Sequence, residues 1–413
     1  MTDAGPIALA TATRYDVDRV RSHFPSLAGG TAYFDGPGGS QTPDVVGRAI
    51  ADTMTGPISN RGSVTASERV ADAVVVAARQ ALADLLGGEP GGVVLGRSMT
   101  QNTFDLARTL AKRWSPGDEV VVSRLDHDAN IRPWVLAAQA RDVQVRWADF
   151  DPTTGELEPA QVERVLGPRT RLVAVTGASN LIGTRPDIPG IAEVVHAAGA
   201  LLHVDGVHLT PHAPVDVRAL GADFFACSPY KFLGPHHGVL YGRPELLEEL
   251  EPDKLVPSSD RVPERFELGT LPYELLAGTT AAIDFLAGLA PGSGTDRRSR
   301  LLASMTALEQ HEAELLRRLE TGVGELPGVT VWSRAARRTP TLLLTFDGHE
   351  ATAVRDTLAA ADINAPAGHF YALDTSRHLG LGDTGGLRIG LAPYTSADDV
   401  DRLLAQLART LKH

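Results

Sequence analysis

The chain has 413 residues, a formal charge of −12, 43% hydrophobic and 22% charged residues. That is an ordinary globular composition, long enough for two or three domains, and its acidity argues against nucleic acid or an anionic membrane as the main partner. A single cysteine, Cys227, excludes an internal disulfide and an all-cysteine metal site.

Residues 1–15 are small and unpatterned and read as a loose arm. They lack a basic region followed by an apolar core, so no secretory leader is expected. No uninterrupted apolar run approaches the ~20 residues of a membrane span, and a cytoplasmic location is expected. Asp16–Leu27 is an amphipathic helix candidate. In TAYFDGPGGSQTPDVV, Gly36–Gly39 reads as a loop after a short strand, with Pro43 opening a helix. Residues 57–67 are polar loop. Arg69–Leu86 carries a helical apolar pattern that stops at Gly87–Gly88.

From Val93 the pattern alternates. Strands are expected at Val93–Leu95, Glu119–Ser123, Val143–Trp147, Leu172–Thr176, Leu201–Val204 and Phe224–Cys227. Helices are expected at Gln101–Arg113, near 159–166 and near 188–198. This predicts a mostly parallel sheet with helices on both faces. Residues 272–324 look helical apart from PGSG at 291–294. Strands at Val329–Trp332, Thr341–Phe346 and Leu387–Leu391, a helix near 350–361 and one from about Ser396 complete the chain. The expected division is an arm and helix (1–30), a large α/β domain (31–270), and linking helices with a small α+β domain (271–413).

The chemistry concentrates between Leu201 and Tyr241. One apolar run delivers Asp205, and the next delivers Ser228, Tyr230 and Lys231. Ligands of open parallel sheets sit outside the carboxyl ends of strands, so this acid and this lysine face one crevice. A carboxylate against a pyridinium nitrogen and a Schiff-base lysine are what pyridoxal 5′-phosphate (PLP) requires. GRSMTQNTF adds a helix start for the phosphate, with Thr100 as N-cap and Gln101 in the first turn. His127 follows a strand and could stack on the ring or move protons. Arg388, between glycines, offers a planar fork to a substrate carboxylate. Each residue also has a plainer reading: a turn acid, a capped helix, a surface histidine, a surface ion pair. A metal site from His203, His208 and His212 is the rival, but its spacing matches no defensible geometry. Cys227 ends an apolar run and reads as packing.

These residues resemble the cysteine desulfurase-like branch of the class V aminotransferases, PLP enzymes of fold type I. The resemblance spans about residues 16–410 and is most specific in HVDGVH…DFFACSPYKFLGPHHGVLYG. DHDANIRPW is similar to the stacking-histidine loop, ASNLIGT to a segment bearing a cofactor- and substrate-facing Asn, and RFELGT to a segment crossing a dimer interface. The resemblance implies that Lys231 carries PLP and moves protons, and that Asp205 pairs with the ring nitrogen. His127 stacks, and His208, where the family usually has Gln, approaches the ring hydroxyl. Thr100, Ser228 and Tyr230 bind phosphate, with Thr270 supplied by the second subunit of a homodimer. Asn180 and Arg388 position an amino-acid substrate. One departure stands out. The loop that carries a sulfur-accepting cysteine in desulfurases corresponds to NAPAGHFYA, which has Tyr371 near that place and no cysteine. The reading is therefore a C–S lyase or desulfurase-like enzyme that acts on cysteine or an S-substituted cysteine without a loop persulfide. The alternative is a class V aminotransferase or related Cα enzyme, such as an epimerase or decarboxylating deaminase.

Overall fold

A computed structural model describes residues 15–290 and 294–412. The expected arm, apart from Tyr15, and positions 291–293 of the PGSG interruption lie outside them. The first strand, β1 (Ala32–Tyr33), is short. Seven strands then form one sheet: β2 (Val93–Gly96), β3 (Glu119–Ser123), β4 (Gln144–Ala148), β5 (Thr170–Thr176), β6 (Leu201–Asp205), β7 (Phe224–Cys227) and β8 (Gly238–Gly242). Their spatial order is β2-β8-β7-β6-β5-β3-β4. Pairing from β7 through β6, β5 and β3 to β4 is parallel, while β8 runs antiparallel to both neighbours. The sequence did not announce β8, which lies inside a stretch read only for its glycines and lysine.

Alternation along each strand explains the layers. Val121, Val173, Val175, Val204 and Phe225 enter one core, while Val120, Val122, Ala174, Phe224 and Ala226 enter the other. Side chains of a strand point to opposite faces, so a sheet apolar on both must be covered on both. This is the fold-type-I architecture expected above. The parallel register brings Thr176 opposite Asp205 and Asp205 opposite Ala226, which aligns the strand ends that carry the polar groups.

The C-terminal part forms a second sheet from β9 (Val329–Val331), β10 (Thr341–Phe346), β12 (Ala367–Gly368) and β13 (Gly386–Gly390), in the order β12-β13-β10-β9 and antiparallel throughout. Its own core includes Leu315, Leu319, Leu358 and Leu403 from the helices Arg297–Gly324, Ala351–Ala359 and Ala397–Thr410. The remaining strand, β11 (Ile363–Asn364), pairs with β1 in parallel. This non-local pairing carries the Gly36–Gly38 turn up to Leu391, where a Cβ on Gly36 would stand 2.8 Å from the Leu391 carbonyl oxygen. Only glycine permits that approach.

Local boundaries differ from expectation in three informative places. The Asp16–Leu27 helix is two pieces, Val17–Arg21 and a 3₁₀ turn at Pro25–Gly29, because Pro25 ends the first. The helix expected from Arg69 starts at Ala66, on a reciprocal cap between Thr65 and Glu68. The helix expected to be capped by Thr100 begins at Met99 instead. Ser98 is the cap: it is extended, and its hydroxyl accepts from the Gln101 N–H at 3.1 Å.

Candidate active site

The carboxyl ends of β3, β5, β6 and β7 open into a cavity of about 150 Å³. Thr100, His127, Asn180, Asp205, His208, Ser228, Tyr230 and Lys231 all line it. Gln101 does not; it is exposed and contributes its backbone N–H to the Ser98 cap. Thr270 is also exposed and lines no part of this cavity in its own chain. A wider chamber of about 590 Å³ continues outward and adds Pro37, Gly38, Phe370, Tyr371 and Arg388 to Lys231.

Lys231 closes the 3₁₀ turn Pro229–Lys231 just after β7. Its amine donates to the Pro37 carbonyl, so the glycine-rich turn on β1 touches the lysine directly. Burial, helped by Arg388 and opposed by Asp205, holds the amine down to about 7. A sizeable neutral fraction therefore exists at physiological pH, which an ordinary solvated lysine lacks. Asp205 is buried, and one oxygen accepts from the Val207 N–H at 2.9 Å. Burial pushes its carboxyl up to about 6. A buried carboxyl with so little support is ready to ionise fully against a cation.

His127 is held neutral, pushed down to about 4 by burial and by the Lys231 and Arg388 charges. Its Nδ1 accepts from the Ala129 N–H at 3.0 Å, which fixes the ring, and Tyr371 stacks on it at 5.4 Å. Behind it, Asp126 is fully buried and gathers Ser123 and Asn130, the latter at 2.6 Å. His208 packs with Nε2 at 3.0 Å from both Thr339 and Thr341, and its Nδ1 has no partner among the described residues. Tyr230 stacks on His236 at 4.7 Å, and its carbonyl accepts from the Ser40 backbone and hydroxyl.

Arg388 sits on β13 with 2% exposure. Its Nη1 donates to the Asn180 carbonyl at 2.9 Å, and the guanidinium lies 3.7 Å above the Phe370 ring. Burial lowers it to about 9, which leaves it charged at pH 7. Asn180 donates its amide to the Phe370 carbonyl at 2.9 Å, while its Oδ1 has no partner among the described residues. Phe370 and Tyr371 both adopt positive φ, 50° and 61°. The segment is pinned: the Tyr371 carbonyl also accepts from Asp128 N–H at 2.8 Å. Of the three histidines of the rival reading, His208 and His212 meet edge to face at 5.0 Å, yet each bonds partners of its own. His203 stands edge-on to Trp134, and His212 bonds Glu312 at 2.9 Å. Among the described residues no group of three ligands could hold a metal ion. Cys227 is buried, and burial raises its thiol far above the ordinary value.

Sequence reasoning passed over Arg97, Ser98, His236 and His237, which line the inner cavity, and Arg132 and Phe104, which line the outer one. Ser98 carried a legible signal, since it is an N-cap residue type two places before Thr100. His237 did not: it is buried and bonded to Thr279 across 42 residues, a partner only the fold supplies.

The geometry defines a cofactor-dependent enzyme site of the PLP kind, and comparison with known proteins agrees. The aminotransferase class-V family model matches residues 32–403, and the chain belongs to that family. The uncharacterized protein MT3887 of Mycobacterium tuberculosis is 35% identical, over 95% of this chain and 99% of its own. A cysteine desulfurase of Dickeya dadantii is 31% identical over 96% and 97%. The crystal structure of the cysteine desulfurase CsdA of Escherichia coli superposes with a TM-score of 0.85 at 28% identity, covering 96% of this chain and 99% of that one. The protein is a PLP-dependent enzyme of the cysteine desulfurase-like class. None of its described helices is long and apolar enough to cross a membrane.

Proposed function

We propose that the protein cleaves a C–S bond in cysteine or an S-substituted cysteine, with Lys231 as the covalent cofactor site and proton carrier. The residues present fit PLP. Asp205 with its buried, weakly supported carboxyl, Lys231 with its depressed amine, and Asn180 and His208, each carrying a buried polar atom with no partner among the described residues, line one cavity. When bound, the cofactor draws electrons from the substrate's Cα. Asp205 favours the protonated ring nitrogen by its charge. Neutral His127 offers a flat face and a lone pair already committed to Ala129, so it stacks better than it transfers protons. Ser228, Tyr230 and the helix start at Ser98–Thr100 supply phosphate donors. Arg388 takes the substrate carboxylate, and Asn180 holds that guanidinium in place. Lys231 then removes the Cα proton, and loss of a thiolate from Cβ completes elimination.

The observation that carries the lyase reading is the position of the thiol. Cys227 is the only one, is buried among core residues and lines neither cavity. Phe370 and the largely exposed Tyr371 line the outer chamber where a sulfur relay would have to swing, and neither is a thiol. Incubation with S-methylcysteine should release pyruvate, ammonia and methanethiol. Accumulation of the pyridoxamine form without thiol would support transamination instead.

We also propose the homodimer that the family resemblance implies. Leu268, Met54 and Val76 are 44%, 64% and 55% exposed, and Thr270 stands outside its own cavity. Thr270 then serves the partner's site. Sedimentation should give the mass of two chains, and Leu268→Glu should lower it; a single-chain mass for the wild-type protein would remove this part. We also retain the division into a large domain over 31–270 and a small one after 271 as our proposal.

A further inference from the structure

We propose that the outer chamber selects amino acids whose side chain ends in a second carboxylate, which Arg132 receives. The idea rests on the assignment of Arg388 to the α-carboxylate. The chamber is lined by two arginines, Arg388 and Arg132, and by Lys231, the site assigned to the cofactor, against one carboxylate, Asp128. An amino acid with a neutral side chain brings one carboxylate, and Arg388 takes it. Arg132 is then left facing the chamber with its charge available.

Its present partnership is slight. Arg132 opens the helix Arg132–Gln139, and among the described residues its side chain makes a single bond, Nη2 to Asp128 Oδ1 at 3.1 Å. The two side chains are 49% and 36% exposed. Exposed pairs one helical turn apart are weak and yield readily to a better acceptor. A guanidinium has five donors in a fixed fork, so one occupied donor leaves a two-donor edge for an incoming carboxylate. The loop beneath is firm, because the Asp128 N–H is tied to the Tyr371 carbonyl. Phe104 and Tyr371 flank the route with apolar surface suited to intervening methylenes, and Gly38 leaves the wall beside Arg388 without a side chain. The substrate class is therefore an S-(carboxyalkyl)cysteine or a similarly long acidic amino acid, rather than cysteine itself.

The test uses ligands without sulfur, so that it does not depend on C–S cleavage. The cofactor-loaded protein is titrated with L-2-aminoadipate and with L-norleucine, and binding is read from the cofactor absorbance. Wild-type protein should bind the diacid about tenfold more tightly, the effect of one charge-assisted contact. Arg132→Gln should bring the ratio near one, with Arg132→Lys in between. Asp128→Asn, which removes a competing acceptor, should raise the ratio, and it serves alone if Arg132→Gln does not fold. Equal ratios in wild type and Arg132→Gln, or a ratio that fails to rise in Asp128→Asn, would overturn the inference. Thiol release from S-methylcysteine is scored separately: its absence sinks the lyase reading and leaves this one standing.

Discussion

Lys231 and Arg388 show how two buried cations can share a site without cancelling its function. Burial lowers both, the Arg388 charge lowers Lys231 further, and Lys231 yields because a lysine can neutralise while an arginine stays charged. Replacing Arg388 by Ala should therefore raise the Lys231 amine back toward its ordinary value. The rate of covalent cofactor attachment, which needs the free amine, should then require higher pH; a stopped-flow profile still centred near pH 7 would contradict the coupling. Arg388→Lys keeps charge but loses the planar fork, and should raise KM for an amino acid about 10- to 100-fold with a smaller effect on kcat. The sequence displayed these residue types and their strand-end positions. It could not display their environment: Arg388 is buried on a strand that pairs with β10 and stacks on Phe370, both remote from Lys231 in the chain.

Among the elements, the start of helix Met99–Ala111 depends most on its neighbours. β8 runs beneath it, and a Cβ on Gly238 would lie 2.1 Å from the Ser98 carbonyl carbon, far inside contact distance. Gly238→Ala should push the helix start off the cavity. We expect a loss of about 1–3 kcal/mol in stability, the usual cost of overpacking, together with faster cofactor loss on dilution. Differential scanning calorimetry and absorbance after gel filtration check both; unchanged cofactor retention would show that this helix start does not hold phosphate. The parallel strands were legible because runs such as Glu119–Ser123 and Phe224–Cys227 are apolar on both faces and bounded by polar residues. The β1–β11 pairing and β8 were not. The first has two residues in each strand, and the second lies in a stretch dominated by glycine and proline signals. The Ser98 cap was missed for a different reason: Ser and Thr are nearly equivalent caps, and only the extended backbone at Ser98 decides between them.

Across the whole molecule, the buried histidines couple stability to pH. His127 and His237 are pushed down to about 4 and His203 to about 3, chiefly by burial. Unfolded histidines take up protons near pH 6.5, and these folded ones do not. The unfolded state therefore binds more protons between about pH 4 and 6.5, so stability is full above pH 6.5 and falls on acidification through that window. Each histidine contributes about 2 kcal/mol of loss by pH 5. Asp205, raised to about 6, and the buried carboxyls Asp126 and Glu267, also raised by burial, work in the opposite direction below about pH 6, while His208, lowered well below its ordinary value, adds to the histidines. The urea midpoint of cofactor-free protein should fall steadily from pH 7 to 5; a flat profile would show that these rings are charged or hydrated in the folded state.

The central claim is that the chemistry belongs to Lys231 and needs no thiol of the protein. The direct measurement is thiol release from S-methylcysteine by Cys227→Ala and Lys231→Ala, each loaded with PLP. The account predicts that Cys227→Ala keeps activity within about threefold, since its loss trims only core packing. It predicts that Lys231→Ala loses about a thousandfold or more, because both the covalent site and the proton carrier are gone. Abolished release in a folded Cys227→Ala, or persistent release in Lys231→Ala, would contradict it.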